Sequence, residues 1–212
     1  MFNFTSTYFL NLLLSLPGII FAISFHEMAH AYAADAMGDP TPKMAGRLTP
    51  NPLKHLDPVG FLCMLLFRFG WAKPVPINPN NFKNRRKGVI SVALSGCVTN
   101  LILGFISLIV IYIVTPFANT TLLIILNYMY MYNLFFGIFN LIPIPPLDGS
   151  QILVEFLSPS AAMKYRQFVR YSMFILMILI FTGLFSVIIA PIYSGIDALY
   201  RLILNAIFGL FY

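Results

Sequence analysis

Within the stretch FAISFHEMAHAYAADAMGDP, residues 21–40, stand two of the chain's three histidines and one of its two glutamates: His26, Glu27 and His30. On an α-helix, positions i and i+4 share a face, so His26 and His30 can present two imidazole nitrogens to one metal ion. Glu27 sits beside them, where it can take a proton from a metal-activated water. The chemistry implied by this HExxH spacing is metal-assisted hydrolysis. A bland reading exists for the same residues, as polar contacts to neighbouring helix backbones. Ionisable groups within apolar helices are costly, and this chain has very few of them, so chance placement explains the cluster poorly.

A catalytic zinc takes three protein ligands and keeps a fourth position for water, so a third donor must come from elsewhere. The acidic candidates are Asp35, Asp39, Asp57, Asp148, Glu155 and Asp197. Asp35 and Asp39 follow too closely on the same helix end to turn back. A helix beginning near residue 8 places His26 about 27 Å along its axis. Asp148, just beyond the inner end of an apolar run at 120–142, reaches a similar depth. Its segment, FNLIPIPPLDGSQILVEF, must break at Pro143, Pro145 and Pro146, and broken backbone at membrane depth is tolerated where it lines a cavity. Capping of a short helix is the competing role for Asp148, and Glu155 is the reserve ligand.

The elements that must position these residues are apolar helices. The 212 residues are 59% hydrophobic and 9% charged, against roughly 25% charged in soluble domains. The expected fold is an all-α integral membrane protein forming one unit over 1–212. Five spans are expected at about 8–34, 88–114, 120–142, 168–190 and 196–212, with the first retained as a helix and not removed as a signal peptide. The apolar run 59–69 is too short to span comfortably and is read as re-entrant or interfacial; six spans result if it crosses. With that run not crossing, twelve of the thirteen Lys and Arg fall on one side, Arg201 being the exception, which predicts an outside N-terminus and an inside C-terminus. The grouped basic residues suit this rule and not nucleic-acid binding. Cys63 and Cys97 read as buried small hydrophobes.

Eight prolines between Gly38 and Asn84 exclude a long helix there. Short extended pieces are expected at Ala45–Leu48 and Ala72–Ile77, forming a β-like element at the membrane surface across 38–87. The second, within GWAKPVPINPNNF, is a candidate edge for holding an unwound substrate segment. Trp71, Val75 and Ile77 are its contact candidates, and His55 is a further one, for substrate or ligand orientation. Lys83 and Arg85 to Lys87 suit anionic lipid heads.

FHEMAH, SGCVTN and NLIPIPPLDGSQIL, with GRLTPNPLKHLDPVGF and GWAKPVPINPNNF, together resemble the site-2 protease family of intramembrane zinc metalloproteases, in its small prokaryotic branch. The resemblance implies that His26, His30 and Asp148 hold one Zn²⁺ per chain, that Glu27 is the general base, and that Asn140 is an active-site residue. It implies a cell-membrane enzyme that cuts transmembrane or membrane-anchored proteins, and the depth of His26 together with the basic residues puts its expected site near the cytoplasmic side. Cys97 stands where relatives often carry proline, and there is no insert long enough for a PDZ domain. Asn140 has two readings, a donor to the substrate backbone or developing oxyanion, and a bridge between helices. Asn100 suits helix packing or site polarity, and Gly96 and Gly104 suit close helix approach. The alternative function is a zinc transporter. Its expected marks, several polar sites along a path and repeated halves, are not seen in the sequence.

Overall fold

The computed structural model describes residues 6–67 and 70–209; Arg68, Phe69 and 210–212, which carry parts of the predicted 59–69 and 196–212 segments, lie outside the described residues. Eight α-helices follow one another among the described residues: α1 (Ser6–Met37), α2 (Thr41–Met44), α3 (Pro58–Phe67), α4 (Arg85–Val114), α5 (Thr120–Asn140), α6 (Asp148–Val154), α7 (Pro159–Phe181) and α8 (Leu184–Phe208). Among the described residues there is no strand, only an isolated antiparallel bridge between Leu56 and Ala72. The all-α expectation holds.

Local sequence sets the starts. Asn84, Asn119 and Ser158 cap α4, α5 and α7 by accepting from the amides of Lys87, Leu122 and Ala161, which satisfies donors that a helix start leaves free. The core is α1, α4 and α5. A Cβ on Gly18 would stand 2.8 Å from the backbone of Tyr128 and Met129, so α1 and α5 cross with backbones nearly touching. In lipid, close approach through small residues replaces the hydrophobic drive that packs soluble helices.

The span count differs from expectation. Among the described residues four helices, Thr7–Met37, Arg85–Val114, Thr120–Asn140 and Leu184–Phe208, are long and apolar enough to cross a membrane. The predicted 168–190 span is broken at Gly183, whose φ of +75° ends α7 and starts α8. Pro191, where the predicted spans parted, lies inside α8. Side-chain pairs give the direction of α8. Phe185 packs on Phe139 at the end of α5, Tyr130 bonds Asp197, Tyr200 packs on Phe105, and Tyr112 bonds Asn205 near the end of α4. α8 therefore runs back along α5 and ends beside the last turns of α4. At the other end of α7, Tyr165 donates to the Pro143 carbonyl just past α5. α7 thus begins and ends at the same end of the bundle, with Lys164, Arg166 and Arg170 in its first half. The end of α8 thus lies at the end of the bundle where α1 starts, whereas the five-span expectation put these two ends on opposite sides.

α3 has ten residues, about 15 Å of rise and half the thickness of a hydrocarbon layer. The chain on either side of it is paired: Lys73 N–H donates to the His55 carbonyl at 2.8 Å, next to the Leu56–Ala72 bridge. A Cβ on Gly60 would stand 2.2 Å from the Trp71 carbonyl oxygen, so this closure admits only glycine. The two flanks of α3 are thus held together, in keeping with a re-entrant or interfacial segment that does not carry the chain across. The expected extended piece at Ala45–Leu48 is instead a turn around Gly46 with φ +65°.

Candidate metal centre

α1 presents His26, Glu27 and His30 as one and a quarter turns of a helix that enters the core at this depth. Proline-rich 143–147 turns the chain so that Asp148, at the start of α6, comes to them. His26 Nε2 and His30 Nε2 lie 3.0 Å apart, and each is close to Asp148 Oδ2, at 3.1 and 3.2 Å. All three side chains are buried. α4 closes the third side. A Cβ on Gly96 would stand 2.6 Å from His26 Cε1 and 2.7 Å from His30 Cε1, so the two rings occupy the space a side chain would fill.

The tautomers follow from the outer nitrogens. His26 Nδ1 meets the Asn100 side-chain oxygen at 2.7 Å, and His30 Nδ1 meets the Val92 carbonyl at 2.8 Å. Both partners only accept, so both Nδ1 atoms donate. Each Nε2 then turns a lone pair towards the other and towards a carboxylate. Three acceptors converging within about 3 Å repel unless a positive charge lies among them. Zinc donors about 2.1 Å from the ion in tetrahedral array stand roughly 3.4 Å apart, close to the edges seen here. Two imidazoles and one carboxylate are also a donor set that zinc takes while keeping a fourth position, so the residues fit the ion. Among the described residues this is the one group of three or more His, Cys, Asp or Glu side chains so arranged.

The support behind His26 is a chain across all three core helices. Asn100 Nδ2 donates to the Ala22 carbonyl at 3.1 Å and to Asn133 Oδ1 at 3.0 Å, while Asn133 Nδ2 donates to the Met129 carbonyl at 2.8 Å. Asn100 and Asn133 are completely buried. Such partners fix ring orientation and raise ligand basicity. Asn133 was not singled out in the sequence; its signal is an amide two helical turns before Asn140 in an otherwise apolar and aromatic run. Cys97 is buried with Sγ 3.9 Å from Asp148 Oδ2.

A cavity of about 640 Å³ opens from this centre between α1, α5, α7 and α8. His26, Glu27, Trp71 and Asn140 line it, with Tyr132 and Phe136 on the α5 wall. Asn140 donates to its own helix, to the Phe136 carbonyl at 3.1 Å. Other candidates lie elsewhere. His55 is fully buried within the 38–57 loop, with Nε2 at 2.7 Å from the Thr49 carbonyl, so it binds loop and not cavity. The side chain of Ile77 packs with Ala34, Phe82 and Val92. Val75 is buried, and its amide reaches Glu27 Oε2 at 3.2 Å. Glu155 pairs with Arg85 at 3.3 Å.

Comparison with known sequences agrees with this geometry. A family model described as Peptidase family M50 matches residues 115–183, the part that contains Asn140 and Asp148. A protein of Bacillus subtilis named "Putative zinc metalloprotease YwhC" is 37% identical over 198 residues, covering 90% of each chain. The chain belongs to peptidase family M50. It is thus a membrane metalloprotease of the site-2 protease family. A Mycolicibacterium smegmatis protein named "Putative zinc metalloprotease Rip2" is 26% identical over 176 residues, 80% of this chain and 67% of that one. No solved structure matches significantly.

Proposed function

We propose that this M50 protein is an intramembrane endopeptidase that binds one Zn²⁺ and hydrolyses peptide bonds in or near transmembrane segments of membrane proteins. The observation that carries the reading is the convergence of His26, His30 and Asp148 beside Glu27, at the wall of a cavity framed by helices. When bound, Zn²⁺ brings the pKa of a coordinated water towards neutrality and polarises the scissile carbonyl.

The chain's own residues do the rest. Glu27 accepts the proton of the attacking water and passes it to the leaving amine. Asn140, once released from Phe136, donates to the developing oxyanion or to substrate backbone, a contact worth about 3 kcal/mol when well placed. Trp71 and the α5 aromatics receive apolar substrate side chains. The cut segment must leave its helix, because helical peptide bonds are internally bonded and screened. Segment 72–76 can hold it extended. Pro74 and Pro76 have no N–H, so their side of the segment offers a substrate strand carbonyl acceptors. Val75 contributes backbone, and His55 and Ile77 contribute the packing that fixes the segment.

Lys43, Lys54, Lys83, Arg85 to Lys87, Lys164, Arg166 and Arg170 lie at or beyond the end of the bundle where α1 finishes and α4 starts. By the positive-inside rule that end faces the cytoplasm, which puts the centre near the cytoplasmic face and its basic residues among anionic lipid heads. Transport of zinc is the weaker reading, since passage calls for a series of sites and the described residues hold one such cluster.

Glu27→Gln in purified protein tests the proposal. Zinc content should stay at one per chain while cleavage of a model transmembrane substrate falls at least about 100-fold. Cleavage at the wild-type rate would refute it.

A further inference from the structure

The sequence Lys73-Pro74-Val75-Pro76 leaves only one backbone donor in the three residues that follow Lys73, since proline has no N–H. Lys73 and Val75 each precede a proline, which drives both into extended conformation. That single donor, the Val75 amide, is spent on the Glu27 carboxylate at 3.2 Å, across 48 positions of sequence.

The segment that carries it is fixed without help from Glu27. Upstream, Lys73 N–H donates to the His55 carbonyl at 2.8 Å. The guanidinium of Arg47, itself buried, donates to the carbonyls of both Lys73 and Lys54. Downstream, Asn78 N–H donates to Asp39 Oδ2 at 2.7 Å. Asp39 also accepts from the Asn81 amide at 2.7 Å and from Thr41. Pinned on both flanks, the Val75 N–H is a preset point and not a plug that lifts away. A carboxylate on a flexible side chain gains from such a point, because one oxygen is held while the other is left to work. The carboxylate also keeps about three further lone-pair sites for substrate or water.

We infer that the Val75 backbone amide is a positioning donor, holding one oxygen of Glu27 so that the other is aimed for proton transfer in the cavity it shares with His26. The inference rests on the reading of Glu27 as the base. It assigns a role in the reaction to the backbone of a residue whose side chain is buried.

The test compares Val75→Pro with Val75→Ala in purified zinc-loaded protein, alongside Glu27→Gln. Val75→Pro deletes the donor and suits the extended backbone. Val75→Ala keeps the donor and trims the side chain. The expected result is a kcat about 10- to 100-fold lower for Val75→Pro than for Val75→Ala, with zinc content equal in the two. Any side-chain effect of Val75→Ala should fall on KM. Replacement of Val75 by its α-hydroxy acid, which exchanges N–H for ester oxygen without adding a ring, should reproduce the proline result and decides the matter if the proline variant does not fold. Equal kcat in the donor-deleted and donor-bearing proteins would overturn the inference, and so would a higher kcat on deletion. If Glu27→Gln itself cleaves normally, the base assignment has failed; if it is inactive and the donor-deleted proteins are not impaired, only the role of Val75 has failed.

Discussion

The polar residues around His26 and those along α8 are comparably costly to hold in an apolar bundle, yet they are arranged in opposite ways. Around His26, groups from α1, α4, α5 and α6 converge: Asn133 supports Asn100, Asn100 holds His26, and both imidazoles face Asp148. Along α8 the polar contacts are spread out. Asp197 takes the Tyr130 hydroxyl and the Arg201 guanidinium, Tyr200 reaches the Leu101 carbonyl, and Asn205 meets Tyr112. The first set surrounds one point and leaves three acceptors facing each other. In the second each of these donors meets an acceptor, and the contacts fasten a helix that is otherwise thinly packed. Polar groups that satisfy one another hold a bundle together; polar groups left in mutual conflict ask for an ion.

This contrast predicts which changes cost metal and which cost only stability. Asp148→Ala removes one of three donors and should strip zinc from the protein under mild chelation while α8 stays docked. Metal analysis beside a melting curve checks both, and retained zinc would put the two sets on the same footing. Asn100→Ala should weaken zinc binding about 10- to 100-fold by freeing the His26 ring, read by competition with a chelator. Asp197→Ala should do the reverse. It leaves the Arg201 guanidinium and the Tyr130 hydroxyl without their acceptor, lowers stability by about 2 kcal/mol, and speeds hydrogen exchange in α8, with zinc affinity unchanged.

The smallest effect is expected at Asp39, outside the spans. Burial alone would raise its pKa, but the hydrogen bonds from Thr41, Asn78 and Asn81 outweigh that and hold the carboxyl below its ordinary value. A depressed pKa adds stability above the ordinary carboxylate range, and that stability is lost as pH falls from about 4 through the depressed value. Asp39→Asn should cost about 1 kcal/mol at pH 7. The gap between the two melting temperatures should then shrink on acidification below about pH 4. A gap constant with pH would deny the charge its part in fixing the 78–81 loop.

The cluster of His26, His30 and Asp148 was legible because it is written in spacing and scarcity: two histidines one helical turn apart, and an aspartate behind prolines that must break a helix. The core spans were legible because apolar runs of about 20 residues have few alternatives in lipid. The C-terminal half was not. Pro191 looks like a break and Gly183 like an ordinary residue of an apolar run, but a transmembrane helix tolerates proline, whereas Gly183 turns the chain with a positive φ that few other residues adopt. The burial of His55 was not legible for a related reason, since a histidine in a polar loop gives no sign that the loop folds over it. Val75 was placed near the site by its neighbours, but its working group is the amide, which carries no signature beyond the two prolines that isolate it.

The most direct measurement is zinc-edge X-ray absorption on the purified protein in a bilayer. One zinc per chain with two imidazole scatterers, oxygen ligands and no sulfur is the predicted first shell, and it should lose one imidazole's contribution in any His26→Ala protein that retains metal. A shell containing sulfur, which would bring in Cys97, or a spectrum unchanged by His26→Ala, would contradict it.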